Sequence, residues 1–191
     1  MTPTVGFYPK EVAIRGGEKV TVRPLLPDDA QALLAHFLSL PEEERHFLKE
    51  DVSSPQVIEA WVRASQGPQV WSLVALSGHR IVAQGAVVRR RGRAYAHVAD
   101  VRLTVSPSHY GRGLGTALLR ELCDLAAEAG LELLLAQIVP EVNREILRAL
   151  EWIGFVRGGM IEGAAIDLAG NRYDLFLLYL PLSRWREWTR F

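Results

Sequence analysis

Cysteine is nearly absent: Cys123 is the one thiol in 191 residues. One thiol cannot close an internal disulfide, which predicts a cytoplasmic rather than a secreted setting. A surplus of either charge is also missing, since 22 Lys and Arg balance 22 Asp and Glu. That removes the bulk electrostatic argument for nucleic acid or an acidic membrane as partner. No window is long and apolar enough to span a bilayer. Met1–Lys10 lacks the basic-then-apolar pattern of a signal peptide. The five histidines show no His-x-x-x-His spacing with a nearby acid, so no metal site is expected. Repeats and low-complexity tracts are absent as well. What remains is a globular composition, 49% hydrophobic, at the length of one domain.

The pattern along the chain alternates strands and helices. Glu11–Ile14 and Lys19–Pro24 flank Gly16-Gly17, a hairpin signal. A helix follows Pro27, with Asp28 or Asp29 able to cap it and Leu33, Leu34, Phe37 and Leu38 as its apolar stripe. Glu42–Glu50 reads as a second helix and Pro55–Ala64 as a third, ended by Gly67-Pro68. Val70–Leu76, Arg80–Arg90 and Ala94–Val105 read as strands. Then come a leucine-rich helix, a strand over Leu131–Val139, a helical run through Trp152, and a last strand over Arg172–Leu180. Ser183–Phe191 reads as a short amphipathic tail. This order predicts an α/β sheet with helices on both faces.

The most informative stretch runs from Val101 to Leu118. Val101, Leu103 and Val105 alternate with polar residues at strand period, and Leu114, Leu118, Leu119, Leu122 and Leu125 recur at helical spacing. Between them lies Tyr110-Gly111-Arg112-Gly113-Leu114-Gly115-Thr116. A glycine-rich bend from a strand into a helix N-terminus aims backbone N–H groups, and the positive end of the helix dipole, at one spot suited to phosphate. No lysine follows these glycines, against a P-loop. Thr116 stands where a dinucleotide fingerprint wants its third glycine. An ordinary tight turn that lets helix and strand pack closely would use the same glycines.

This loop resembles the x-x-Gly-x-Gly loop of the GNAT N-acyltransferase superfamily. A second segment strengthens the resemblance: Asn143 opens a short helix that ends in Gly154-Phe155. Asn143 also reads as an N-cap residue and Gly154 as a helix-ending glycine. The likeness covers roughly residues 19–180. It implies a single GNAT-like domain over 1–191, with an N-terminal hairpin extension, and a mixed, mostly antiparallel sheet. Tyr8-Pro9 through Arg23-Pro24 to the Asp28-Asp29 helix resembles, more weakly, the acyltransferase domain of bacterial protein lysine acetyltransferases.

The resemblance implies acetyl-CoA as co-substrate, bound by Tyr110, Gly111, Arg112, Gly113, Leu114, Gly115 and Thr116, with Asn143 nearby. Leu103 and Val105 are implied contacts through backbone alone, on a strand that splays from Leu131–Val139. The acceptor is an amine: a small amine, an amino acid or a protein lysine. Asp100, on the strand face opposite Leu103 and Val105, is the expected base; pairing with Arg102 or Arg93 is its structural alternative. The family's usual tyrosine acid falls at Leu150, a departure that leaves a non-catalytic acyl-CoA sensor as the second reading. Arg89, Arg90, Arg91 and Arg93 read as a solvated hairpin tip, Glu42–Glu44 and Glu50 as a solvated helix face beside the acceptor, and Cys123 as a small apolar helix residue. A homodimer is left open.

Overall fold

A computed structural model describes residues 8–188. The chain forms β1 (Lys10–Ala13), β2 (Lys19–Pro24), α1 (Ala30–Leu38), α2 (Glu42–His46), α3 (Pro55–Ala64), β3 (Val70–Ser77), β4 (Arg80–Arg89), β5 (Val98–Val105), α4 (Leu114–Glu128), β6 (Leu133–Ile138), α5 (Arg144–Ile153), β7 (Val156–Ile166), β8 (Arg172–Pro181) and α6 (Leu182–Trp188). One eight-stranded sheet holds them in the order β1-β2-β3-β4-β5-β6-β8-β7. Every neighbouring pair is antiparallel except β5 and β6. The mixed, mostly antiparallel sheet expected from the sequence is therefore present. The tail beyond Trp188 lies outside the described residues, as does the part of the opening segment before Tyr8.

Helices cover both faces. On one side the inward stripe of α4, which includes Leu114, Leu118, Leu119, Leu122 and Cys123, is fully buried against β4 and β5, with α5 alongside. Each such leucine contributes about 1.5–3 kcal/mol through removal from water. Gly85 on β4 makes the approach close enough: a Cβ there would stand 2.5 Å from Leu122 Cδ1. Burial raises the Cys123 thiol well above its ordinary range, in keeping with its reading as a packing residue. On the other side α1 and α3 bury Leu33, Phe37, Ile58 and Val62 against Val74 and Ile81.

Several boundaries differ from the sequence expectation. Asp29 stands at the N-cap position of α1 but makes no side-chain capping bond there. It clamps Arg23 through both carboxylate oxygens, at 2.6 and 2.8 Å, and accepts from Leu26 N–H. The helix expected over Glu42–Glu50 stops at His46. Phe47 instead turns edge-on to Tyr173, which draws the chain over the sheet. The strand expected from Ala94 begins at Val98, after a 3-10 turn at Arg93–Tyr95. β7, which has no counterpart in the sequence pattern, is an exposed edge strand interrupted by bulges.

Candidate active site

The ladder between β5 and β6 is three residue pairs long, from Val98↔Leu133 to Asp100↔Leu135. Beyond it the strands part. Val101–Val105 stay paired to β4, and Ala136–Ile138 to β8. Their facing edges are left with backbone groups that no strand satisfies. The splay implied by the resemblance is thus a feature of the chain.

The glycine loop stands at the open end of this gap. Gly111 and Gly113 have φ of 67° and 82°, left-handed values that favour glycine, and a Cβ at either would meet nothing within 4 Å. Gly113 is the N-cap of α4. Ala117 N–H bonds to Gly113 O, but among the described residues the backbone N–H groups of Gly111 through Thr116 have no partner. Six consecutive free amides at the start of a 15-residue helix form an anion cradle. Gly115 belongs to a different task. Its backbone is helical, and a Cβ would meet Val105 Cγ2 at 3.4 Å and Leu103 Cδ2 at 3.6 Å. It lets α4 sit against β5.

Two side chains of the loop turn away from the cradle. Arg112 pairs with Glu18 at 2.7 Å and donates to Arg15 O, which ties the loop to the β1–β2 hairpin. Ser77, His109 and Arg112 together hold the Glu18 carboxyl down at about 2. Tyr110 donates its hydroxyl to Glu44, 2.6–2.7 Å from both carboxylate oxygens. Burial raises the Glu44 carboxyl above its usual range, an effect the Tyr110 hydrogen bond opposes.

A cavity of about 260 Å³ lies at this gap. Its lining includes Asp100 through Val105, Tyr110, Ala136–Ile138 and Asn143, so the gap, the first loop position and the signature asparagine share one space. Asn143 occupies the N-cap position of α5, yet its side chain makes no capping bond, which leaves it available to the cavity. Leu150 is 2% exposed and lines the same space. Asp100 pairs with neither Arg102 nor Arg93. Arg90 grips both of its oxygens, at 2.9 and 3.3 Å, so the hairpin tip read as solvated supplies an inward-turned arginine.

The opposite wall includes residues whose sequence pattern is that of a solvated face. Glu44 and Glu50, read as a solvated face, line the cavity with Phe37, Leu40, Phe47 and Trp61. The signal available was position alone, since these segments lie between β2 and β3. His36 supports this wall from beneath. It is 2% exposed and bonds Thr104 Oγ1 at 2.9 Å and Ser106 Oγ at 3.1 Å, and burial pushes its imidazole down to about 4. Among the described residues no group of three or more His, Cys, Asp or Glu could hold a metal ion, and no helix is long and apolar enough to cross a membrane.

Comparison with known proteins agrees with this geometry. Residues 19–156 match the family model "Acetyltransferase (GNAT) domain". A Bacillus subtilis protein named "Putative phosphinothricin acetyltransferase YwnH" is 34% identical over 90 residues, 47% of this chain and 54% of that protein. The match thus spans about half the length of that relative. The solved structure of yncA from Salmonella typhimurium, described as a "putative ACETYLTRANSFERASE" with its cofactor acetyl-CoA, superposes with a TM-score of 0.74 at 22% identity, over 85% of this chain and 94% of that one. The ribosomal-protein-S5-alanine acetyltransferase of Vibrio fischeri gives 0.75 at 17% identity, over 91% and 99%. At those identities the likeness is one of fold. The family match covers most of the chain, includes the cradle and extends past the splayed strands: the protein belongs to the GNAT acetyltransferase family.

Proposed function

We propose that the protein transfers the acetyl group of acetyl-CoA to the amine of an acceptor held between α1–α3 and the sheet. The observation that carries this reading is the gap between β5 and β6 together with the free amides of Gly111–Thr116 at the start of α4, the helix that packs on β5 at Leu103 and Val105. The amides suit a pyrophosphate, with Gly111 and Gly113 giving it room. The edges of Val101–Val105 and Ala136–Ile138 suit the amide-bearing pantetheine arm, which would add as a strand adds to a sheet. Acetyl-CoA supplies an activated thioester. A backbone N–H on the Leu103–Val105 edge polarises its carbonyl, and Asn143 stands on the opposite wall.

The acceptor amine must lose a proton before it attacks, because an alkylammonium with pKa near ~10.4 is almost fully protonated at neutral pH. We assign that proton to Glu44. Its carboxyl is raised by burial and so is a better base than an ordinary carboxylate, and Tyr110 fixes its orientation. Asp100, the base expected from the sequence, commits both oxygens to Arg90 and shapes the field of the far wall. Leu150 offers no proton to the departing sulfur. A thiol with a pKa near ~8.5 leaves tolerably as thiolate at neutral pH, so transfer is slow without being forbidden.

The test is release of free thiol from acetyl-CoA with a panel of amines. Release that depends on the amine supports the assignment. Tight acetyl-CoA binding with no thiol released by any amine replaces it with the acyl-CoA sensor, the reading that Leu150 favours.

A further inference from the structure

Around the acceptor half of the cavity, hydrogen-bond donors outnumber their partners. Among the described residues, five buried side-chain nitrogens have none: Arg45 Nε, Trp61 Nε1, Trp71 Nε1, Gln84 Nε2 and Arg102 Nε. Three of these, on Trp61, Gln84 and Arg102, belong to residues lining this one cavity. A buried donor without a partner costs about 1–3 kcal/mol and is rare in folded proteins. Three around one space mark a place where the partner arrives with a ligand.

The three are neighbours. Gln84 faces Thr104 across the β4–β5 ladder and Arg102 faces Ala86, so Gln84 and Arg102 project diagonally from one face of the sheet. The Arg102 guanidinium lies over the Trp61 ring, 5.1 Å from its centroid. Gln84 is 3% exposed. Arg102 Nη1 donates to Glu50, which holds the group from one side. Its other edge, Nε with Nη2, has no partner among the described residues. Arg90 grips Asp100, and Arg157 meets Glu151, with that same edge. It is the edge that takes a carboxylate by two parallel bonds.

Trp and Arg side chains donate and do not accept. The group that satisfies them must be an acceptor, and the free Nε–Nη2 edge of Arg102 suits the two oxygens of a carboxylate. The geometry points to a carboxylate subsite formed by Arg102, Trp61 and Gln84, and so to an acceptor of the amino-acid class, with its amine toward Glu44 and its carboxylate toward Arg102. Phe37, Leu40 and Phe47 leave an apolar space for the remainder. This rests on the reading of the cavity as an amine-acceptor site. A lysine inside a protein, having no free carboxylate, does not fit it.

Calorimetry in the presence of coenzyme A tests the subsite. L-Leucine, L-phenylalanine and L-arginine are each compared with the α-amide and the decarboxylated amine. At least one amino acid should bind tenfold or more tightly than both of its derivatives, and Arg102→Gln should erase that preference. Trp61→Phe, which keeps an aromatic face and loses the N–H, should reduce it about threefold, so loss of fold cannot mimic the result. Equal affinity for acid and amide overturns the subsite, as does absence of binding by all three amino acids or an unchanged preference in Arg102→Gln. Failure of coenzyme A itself to bind overturns the acyl-transfer reading instead, and the same titrations without it still decide the subsite.

Discussion

The two ends of the cavity are built from different materials. The cofactor end is backbone: two unpaired strand edges and a row of amides leading into α4. The acceptor end is side chains, contributed by α1, α2, α3, β4, β5 and the loop after α2. A backbone site depends on chain path, and many sequences can take one path. A side-chain site depends on which residue stands at each place, so it is where members of a fold diverge in what they accept. The polar residues follow the same division. The proposed cofactor end offers groups that do not titrate, whereas the proposed acceptor end gathers Glu44, Glu50, Arg102 and, beneath them, His36.

Substitutions can press on that division. The largest expected effect is at the acceptor end: Glu44→Gln should lower kcat by about 10²–10⁴ at neutral pH. The loss should narrow as rising pH deprotonates the amine, and Asp100→Asn should cost less than Glu44→Gln. Steady-state rates across pH decide it, and the reverse ranking returns the proton to Asp100.

Acid should act on the same end. The His36 imidazole is held at about 4 in the folded chain, against ~6.5 unfolded. Between those values the unfolded chain binds a proton that the folded one refuses. Stability is therefore complete above pH 6.5 and declines as pH falls toward 4, by about 3 kcal/mol in all. Denaturant titrations of wild type and His36→Gln should diverge in that window, and parallel pH profiles would assign the slope elsewhere.

At the cofactor end, Gly113→Val should weaken coenzyme A binding by more than about tenfold, because valine resists the left-handed backbone and crowds the cradle. Acceptor affinity should hardly move. Gly115→Val is a poorer probe, since its side chain would meet Val105 and Leu103 and shift α4. The smallest effect is expected from Leu150→Tyr, a several-fold change in kcat at most. Its hydroxyl could serve the sulfur, while its bulk enters a fully packed position at a cost of about 1–3 kcal/mol. Thermal melting alongside kinetics separates the two contributions.

The same division explains what could be read from the sequence. The cofactor end was legible because glycines, strand alternation and a leucine stripe are local signals within Val101–Leu125. Pro55–Ala64 and Lys19–Pro24 fall where their patterns put them. The acceptor wall was not legible. Glu44 sits in an acidic run that looks like any solvated face, and only the fold brings it to Tyr110, 66 residues away. Arg90 and Asp100 likewise meet through hairpin register. The early end of the helix that starts at Glu42 has no local signal, because Phe47 answers to Tyr173, a partner from the far end of the chain.

The three-pair ladder between β5 and β6 has a mechanical meaning. It divides one sheet into a five-stranded panel, β1 to β5, and a three-stranded panel, β6 with β8 and β7, joined by a narrow seam. Shear across the sheet concentrates there, where few hydrogen bonds carry the load. An extended ligand lying in the gap would lengthen the seam and rivet the panels together. Amide hydrogens along Val101–Val105 and Ala136–Ile138 would then exchange more slowly, and two panels that open separately would open as one.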